Sequence, residues 1–111
     1  MKCTFVVFLF FLSGLASAGN IYVVDYASQA DVKIYVVDYK SQADLCIYVV
    51  DYASQAKGYD ELWYYVFFDG QADAKIYFVE YPSQADIKVY FVDYKSQAGW
   101  QKSNKFIGRL R

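Results

Sequence analysis

The chain has 111 residues, with 11 Lys and Arg against 12 Asp and Glu, 13 Tyr, 9 Phe and no His. That length makes one domain, and the absence of His removes the commonest general base and the commonest metal ligand. A formal net charge of −1 argues against a nucleic-acid partner, which selects basic surfaces, while 57% hydrophobic and 22% aromatic residues exclude a disordered chain.

Residues 1–18 read as a secretory signal peptide. Lys2 supplies the positive charge, residues 5–12 (FVVFLFFL) the apolar run, and Ala16-Ser17-Ala18 the small-x-small cleavage site. The run is too short to cross a bilayer, which needs about 20 apolar residues. Cleavage after Ala18 predicts an exported protein, periplasmic or extracellular, whose mature chain has no transmembrane span. Loss of Lys2 leaves 10 basic residues against 12 acidic ones. Loss of Cys3 leaves Cys46 alone, so no internal disulfide can form. Cys46 is then a buried small hydrophobe or an intermolecular link.

Self-similarity governs the rest. Units at 21–33, 34–46, 47–59, 63–75, 76–88 and 89–101 repeat the pattern IYVVDYKSQADLC. Gln29, Gln42 and Gln55 are 13 residues apart, as are Gln71, Gln84 and Gln97, but the central step is 16. Three extra residues near 60–62 therefore divide the repeat domain, 19–101, into two sets of three units. A basic tail follows at 102–111. Each unit opens with a β-branched and aromatic run that predicts a strand, about eight residues from Val32 to Tyr39 in the second unit. Alternation puts Val32, Ile34, Val36 and Asp38 on one face and Lys33, Tyr35, Val37 and Tyr39 on the other. Both faces are apolar in the middle, which predicts cover on both sides.

The connector Ser-Gln-Ala-Asp stands intact at 28–31, 41–44 and 83–86. It lacks the Asn-Gly or Asp-Gly of tight hairpins. Ser-x-x-Asp predicts a single helical turn capped by its own side chains, with Ser28 and Asp31, Ser41 and Asp44, and Ser83 and Asp86 as structural caps. Pro82 fits directly before such a turn, with Tyr81 extended. The expectation is a mainly β domain of six strand-plus-helical-turn repeats with no long helix. A repeat of 13 leaves open a β-solenoid, an antiparallel meander or sandwich, and a ring that the chain laps more than once.

Tandem Tyr/Val-rich strands that close in Asp-Tyr-x-Ser-Gln-Ala-Asp, with Gly99-Trp100 and a basic tail at the end, resemble a small bacterial family of unknown function. One member of that family is a septoil, or seven-crossing torus, knotted protein. The resemblance covers residues 21 to about 105, and five of six units carry its Ser-Gln-Ala core, at Ser28, Ser41, Ser54, Ser83 and Ser96. The fourth unit departs with Phe67-Phe68-Asp69-Gly70, and Gly99 replaces the last Asp. The resemblance implies a compact, deeply knotted β domain wound in more than one lap. An unknotted β-solenoid is the alternative.

No catalytic set assembles, and no cofactor or metal site is predicted. There is no His to activate Ser28 or Cys46, no Gly-rich phosphate loop, and no second ligand for zinc at Cys46. Asp25, Asp38, Asp51, Glu80 and Asp93 share one repeat position, and Asp31, Asp44, Asp73 and Asp86 share another. An acid–base pair needs unlike environments, so equivalent copies point to architecture and not to an enzyme. Calcium is the functional reading of these carboxylates, and turn capping is the structural one. Tyr22, Tyr35, Tyr48, Tyr77 and Tyr90 form a row that could face a ligand, with cross-strand packing as the alternative. The tail carries Lys102, Lys105, Arg109 and Arg111 and no acid, suiting either an anionic surface or docking on the acidic body. Three functions follow from these features. The first is an exported, non-enzymatic monomer that resists unfolding and proteolysis. The second is a secreted module using Tyr and Asp rows to bind a carbohydrate, calcium or a protein. The third is a self-assembling fibre subunit, since Ile-Tyr-Val-Val has the profile of a zipper segment.

Overall fold

A computed structural model describes residues 19–110. The expected signal peptide and its cleavage point after Ala18 lie outside the described residues. Among the described residues, six strands form the wall of a barrel: β1 (Asn20–Val23), β2 (Val32–Val36), β3 (Leu45–Val49), β4 (Leu62–Tyr65), β5 (Ala74–Phe78) and β6 (Ile87–Phe91). A short β7 (Gly99–Trp100) lies antiparallel on the first half of β3. The units are joined by single 3-10 turns, with one four-residue α-turn, α1 (Ala53–Ala56), after β3.

All wall pairings are parallel, and the order β4-β1-β5-β2-β6-β3 closes because β3 also pairs with β4. Around the ring the strands alternate between the first three units and the last three. β1 lies between β4 and β5, β2 between β5 and β6, and β3 between β6 and β4. The two sets of three units are thus two interleaved laps. The step from β3 to β4 moves to an adjacent place in the ring. Every other step within the wall skips one strand.

Parallel strands usually need a crossover of about a dozen residues or more. Here residues 37–44 suffice between β2 and β3. The stagger explains why. Val36, the last residue of β2, is level with Val89 of β6, which is level with Leu45, the first residue of β3. The chain has no strand length to retrace and crosses only about 10 Å sideways. The same holds from Val23 through Ile76 to Val32, and from Phe78 through Ile34 to Ile87. This stagger also shortens the strands to four or five residues, against the eight expected, since the chain must lift off the wall to pass its neighbour.

The inward residues make one core, including Ile21, Ile34, Ile47, Ile76, Ile87 and Val89, all fully buried. Each such side chain contributes about 1.5–3 kcal/mol over its exposed state. Trp63 of β4 fills the interior and meets Tyr65 and Phe91 edge-on, with ring centroids 6.2 and 5.9 Å away. The outward face is covered by connectors, as the two apolar faces predict. Tyr35 and Tyr90, for example, pack with Val37, Ala43 and Cys46. The tail joins the core as well, through Phe106 and Leu110.

Candidate functional site: repeated grooves on the barrel wall

The acidic ends of the connectors do not cap their own turns. None of the five 3-10 turns carries a side-chain cap, which corrects the capping role expected of Ser28, Asp31, Ser41, Asp44, Ser83 and Asp86. The turns close through backbone bonds instead, such as Gln29 N–H to the Tyr26 carbonyl at 3.0 Å. The carboxylates reach across to the strand that the connector steps over. Asp31 N–H donates to the Lys75 carbonyl at 2.7 Å, and Lys75 N–H donates to Asp31 Oδ2 at 3.0 Å. Asp44 and Lys88 repeat the exchange at 2.7 and 2.9 Å, and Asp86 and Lys33 at 2.8 Å in both directions. Asp73, in the fourth unit, does the same with Asn20. Lys75, Lys88 and Lys33 are the second residues of β5, β6 and β2, and Asn20 is the first of β1, so each acid satisfies a backbone N–H at the start of a strand. Four of the clustered carboxylates are therefore engaged by backbone. Among the described residues, no group of three or more acidic or thiol side chains is placed to share a metal ion.

The strand partner of each clasp lines a groove. In one, Tyr22, Asp25 and Gln29 of the first unit meet Asp69 and Lys75 of the fourth. At the corresponding repeat positions, Tyr35, Asp38 and Gln42 meet Lys88 and, from the tail, Lys102, and Tyr77, Glu80 and Gln84 meet Lys33. A fourth groove keeps Tyr64 and Gln71 but has Phe67 and Asn20 where the others have an acid and a lysine. The grooves have volumes of about 380–710 Å³. The tyrosines and lysines are half-buried, whereas the acids and glutamines are exposed. Among the described residues, the acid and the lysine of one groove form no ion pair.

The structure places the expected tyrosine row in two settings. Tyr22, Tyr35 and Tyr77 line grooves, and Tyr35, Tyr48 and Tyr90 pack against the outer apolar clusters. The more exposed row is the other series. Tyr26, Tyr39, Tyr52, Tyr81 and Tyr94 are 61–68% exposed, with Phe68 beside them in the same repeat position. The groove lysines were not among the residues singled out from sequence. Their signal is the recurrence of Lys at the last position of units 21–33, 63–75 and 76–88.

Cys46 is fully buried, and burial pushes its thiol above the ordinary value of 9.0 despite the opposing charge of Lys40. Burial likewise raises the phenol of Tyr65. The basic tail docks on a single buried acid, Asp60. Leu110 N–H donates to Asp60 Oδ1 at 3.0 Å, Trp100 Nε1–H to Oδ2 at 3.0 Å, and Gly108 N–H also to Oδ2. The Asp60 carbonyl accepts from Trp63 Nε1–H at 2.9 Å. Asp60 lies among the three inserted residues that separate the laps.

The family model of the 7(1) septoil knot domain matches residues 18–101. The chain belongs to the septoil knot domain family. No curated protein and no solved structure matches it. Two interleaved laps closed into one barrel are consistent with a knotted β domain, and the match covers every wall strand and all four clasps. The latched tail beyond Gln101 lies outside the match. No helix among the described residues is long and apolar enough to cross a membrane.

Proposed function

We propose that this septoil knot domain is exported and serves as a non-enzymatic structural unit whose task is to stay folded under proteolysis and unfolding stress. One observation carries the reading: each wall strand lies between two strands of the other lap, so none can leave without breaking two ladders. A closed ring also leaves no wall edge to template another chain, which favours a monomer over a fibre subunit. Its stability comes from this topology and its packing, because Cys46 has no internal disulfide partner after cleavage. Export rests on residues 1–18, with the periplasm or the exterior as destination.

The test is expression with the native leader, followed by mass measurement of the exported protein and timed digestion with a nonspecific protease. The expected outcome is a mass that begins at Gly19 and a domain intact long after unknotted β proteins of similar size are degraded. Rapid digestion through the wall would contradict the proposal, as would retention in the cytoplasm with an uncut leader.

A further inference from the structure

We propose that one side of the barrel is a docking surface for an extended, arginine-rich polypeptide segment. This binding role goes beyond the proposed resistance to unfolding and does not rest on it, since a labile domain could bind such a segment and a resistant one need not.

The surface follows from the winding. Ile21 is level with Ala74, two residues before its repeat equivalent Ile76. The same two-residue offset recurs at every wall pairing, including the steps from β3 to β4 and from β4 to β1. These equal steps return to Ile21, so they amount to a rotation with no net rise. Equivalent residues therefore lie at one height, and the exposed rings of Tyr26, Tyr39, Tyr52, Phe68, Tyr81 and Tyr94 form a belt. The turns after β3, β4, β1, β5, β2 and β6 pack on β4, β1, β5, β2, β6 and β3 respectively. Around the wall the belt thus runs Tyr52, Phe68, Tyr26, Tyr81, Tyr39, Tyr94.

Charge divides this belt. A lysine follows the ring only at Lys40 and Lys95, and the winding makes those two turns neighbours, over β6 and β3. Lys88 of β6 and Lys102 in the Tyr35 groove join them, against Asp38, Asp44 and Asp93. The other side, over β4, β1, β5 and β2, holds Asp25, Asp51, Glu61, Asp69 and Glu80 together with the clasps Asp31, Asp73 and Asp86. Only Lys33, Lys57 and Lys75 oppose these eight acids. The remaining acid, Asp60, is buried at the tail latch, where Lys105 and Arg109 stand 5.3 and 6.0 Å from the centre of the Phe106 ring.

The aromatic surface is also largest on the acidic side. Phe67 replaces the acid of the fourth unit and is 87% exposed, next to Phe68. Exposed apolar surface rimmed by charge marks an interaction site. Two grooves flank this turn, one lined by Phe67, Ala53 and Tyr64 and the other by Asp69, Asp25 and Lys75.

Charge complementarity selects the occupant. Tyr52, Phe68, Tyr26 and Tyr81 each have an exposed acid as chain neighbour, namely Asp51, Asp69, Asp25 and Glu80. A guanidinium stacks on an aromatic face and pairs bidentately with a carboxylate, whereas an ammonium offers only a point charge. Four ring-and-acid pairs in succession suit a segment with several arginines, whose weak single contacts add through multiple engagement.

The experiment titrates the full chain into labelled decaarginine and, separately, decalysine, read by fluorescence anisotropy at about 50 mM salt. Decaarginine should bind with a dissociation constant on the order of 10 μM, and decalysine about fivefold more weakly. Tyr26→Ala/Phe68→Ala should weaken decaarginine at least about tenfold, and Tyr39→Ala/Tyr94→Ala, at equivalent positions on the other side, by no more than about twofold. Both pairs alter only exposed side chains and should keep the melting temperature. On the unaltered protein, NMR shifts should fall at Tyr26, Tyr52, Phe68 and Tyr81 and not at Tyr39 or Tyr94, which is independent of how any variant folds. Four results would overturn the proposal: no binding at about 1 mM peptide, equal losses from the two double variants, decalysine binding as tightly as decaarginine, or shifts at the same rings with phosphatidylcholine vesicles in preference to the peptide, which would make the surface a lipid site.

Discussion

Four connectors end in Asp and two do not, and the difference tracks the path of the chain. Where Asp31, Asp44, Asp73 and Asp86 stand, the connector clasps the strand it steps over and the chain re-enters the wall two places on. Lys57 and Gly99 hold the corresponding positions in the other two. After Lys57, Gly58 turns with φ +84°, a conformation that favours glycine, and the chain moves only one place to β4. At Gly99 the backbone takes φ +146°, reverses onto β3 as β7, and leaves the wall. One side chain thus separates continuing a lap from changing or ending it. The Asp exchanges two hydrogen bonds with the skipped strand, and without it the backbone is free to turn.

The largest break in this contrast should come at Asp60, which fixes the departed segment. Asp60→Ala leaves three donors without their acceptor around a buried site, and each such loss costs about 1–3 kcal/mol. Urea unfolding should show a stability loss of at least about 3 kcal/mol, and proteolysis with mass analysis should show cleavage beginning beyond Trp100 while the wall persists. Gly19 comes next. It rests on the Lys57 connector, where an added Cβ would lie 2.6 Å from the Leu62 carbonyl oxygen and 3.0 Å from Ala56 Cβ. Gly19→Ala should cost about 1–3 kcal/mol through overpacking, read as a lower urea midpoint.

Asp44→Ala removes one side-chain arm of a clasp, with an expected cost of about 1–2 kcal/mol and faster amide exchange at Lys88. The converse change, Lys57→Asp, should alter stability by no more than about 0.5 kcal/mol, because no skipped strand lies beneath that connector. The smallest effect is alkaline. The Cys46 thiol and Tyr65 phenol are both raised by burial, so their neutral forms favour the folded state. That contribution is complete below the unfolded values of 9.0 and 10.0 and is lost as pH climbs from there through the raised folded values. The urea midpoint should fall above about pH 9, and Cys46→Ala should remove the earlier part of the decline.

Much of this was legible in the residues. The 13-residue spacing gave the units, and the 16-residue step between Gln55 and Gln71 marked the change of lap, because both follow from local periodicity. The helical turn after each strand was also readable from Ser-Gln-Ala. What Asp31 and its copies bind was not, since their partners lie 44 or 53 residues away and depend on which strand is skipped. The grooves escaped detection for the same reason: Lys75 joins Tyr22 only after the second lap closes over the first. Asp60 looked like one acid in an insertion, and only the returning tail gives it a role. The knot itself came from resemblance, since a 13-residue repeat alone suits a solenoid equally well.

Interleaving of the laps is tested most directly by paired cysteines, with Cys3 and Cys46 replaced by Ala. Tyr35 and Lys88 lie opposite each other across β2 and β6, within the roughly 7 Å that a disulfide can bridge between Cα atoms. Tyr22 and Tyr35 are equivalent positions in consecutive units, separated by β5 in the wall. Two interleaved laps predict that the Y35C/K88C pair oxidises readily in the folded protein and that the Y22C/Y35C pair does not. A solenoid stacks consecutive units, so the reverse result would contradict the winding described here.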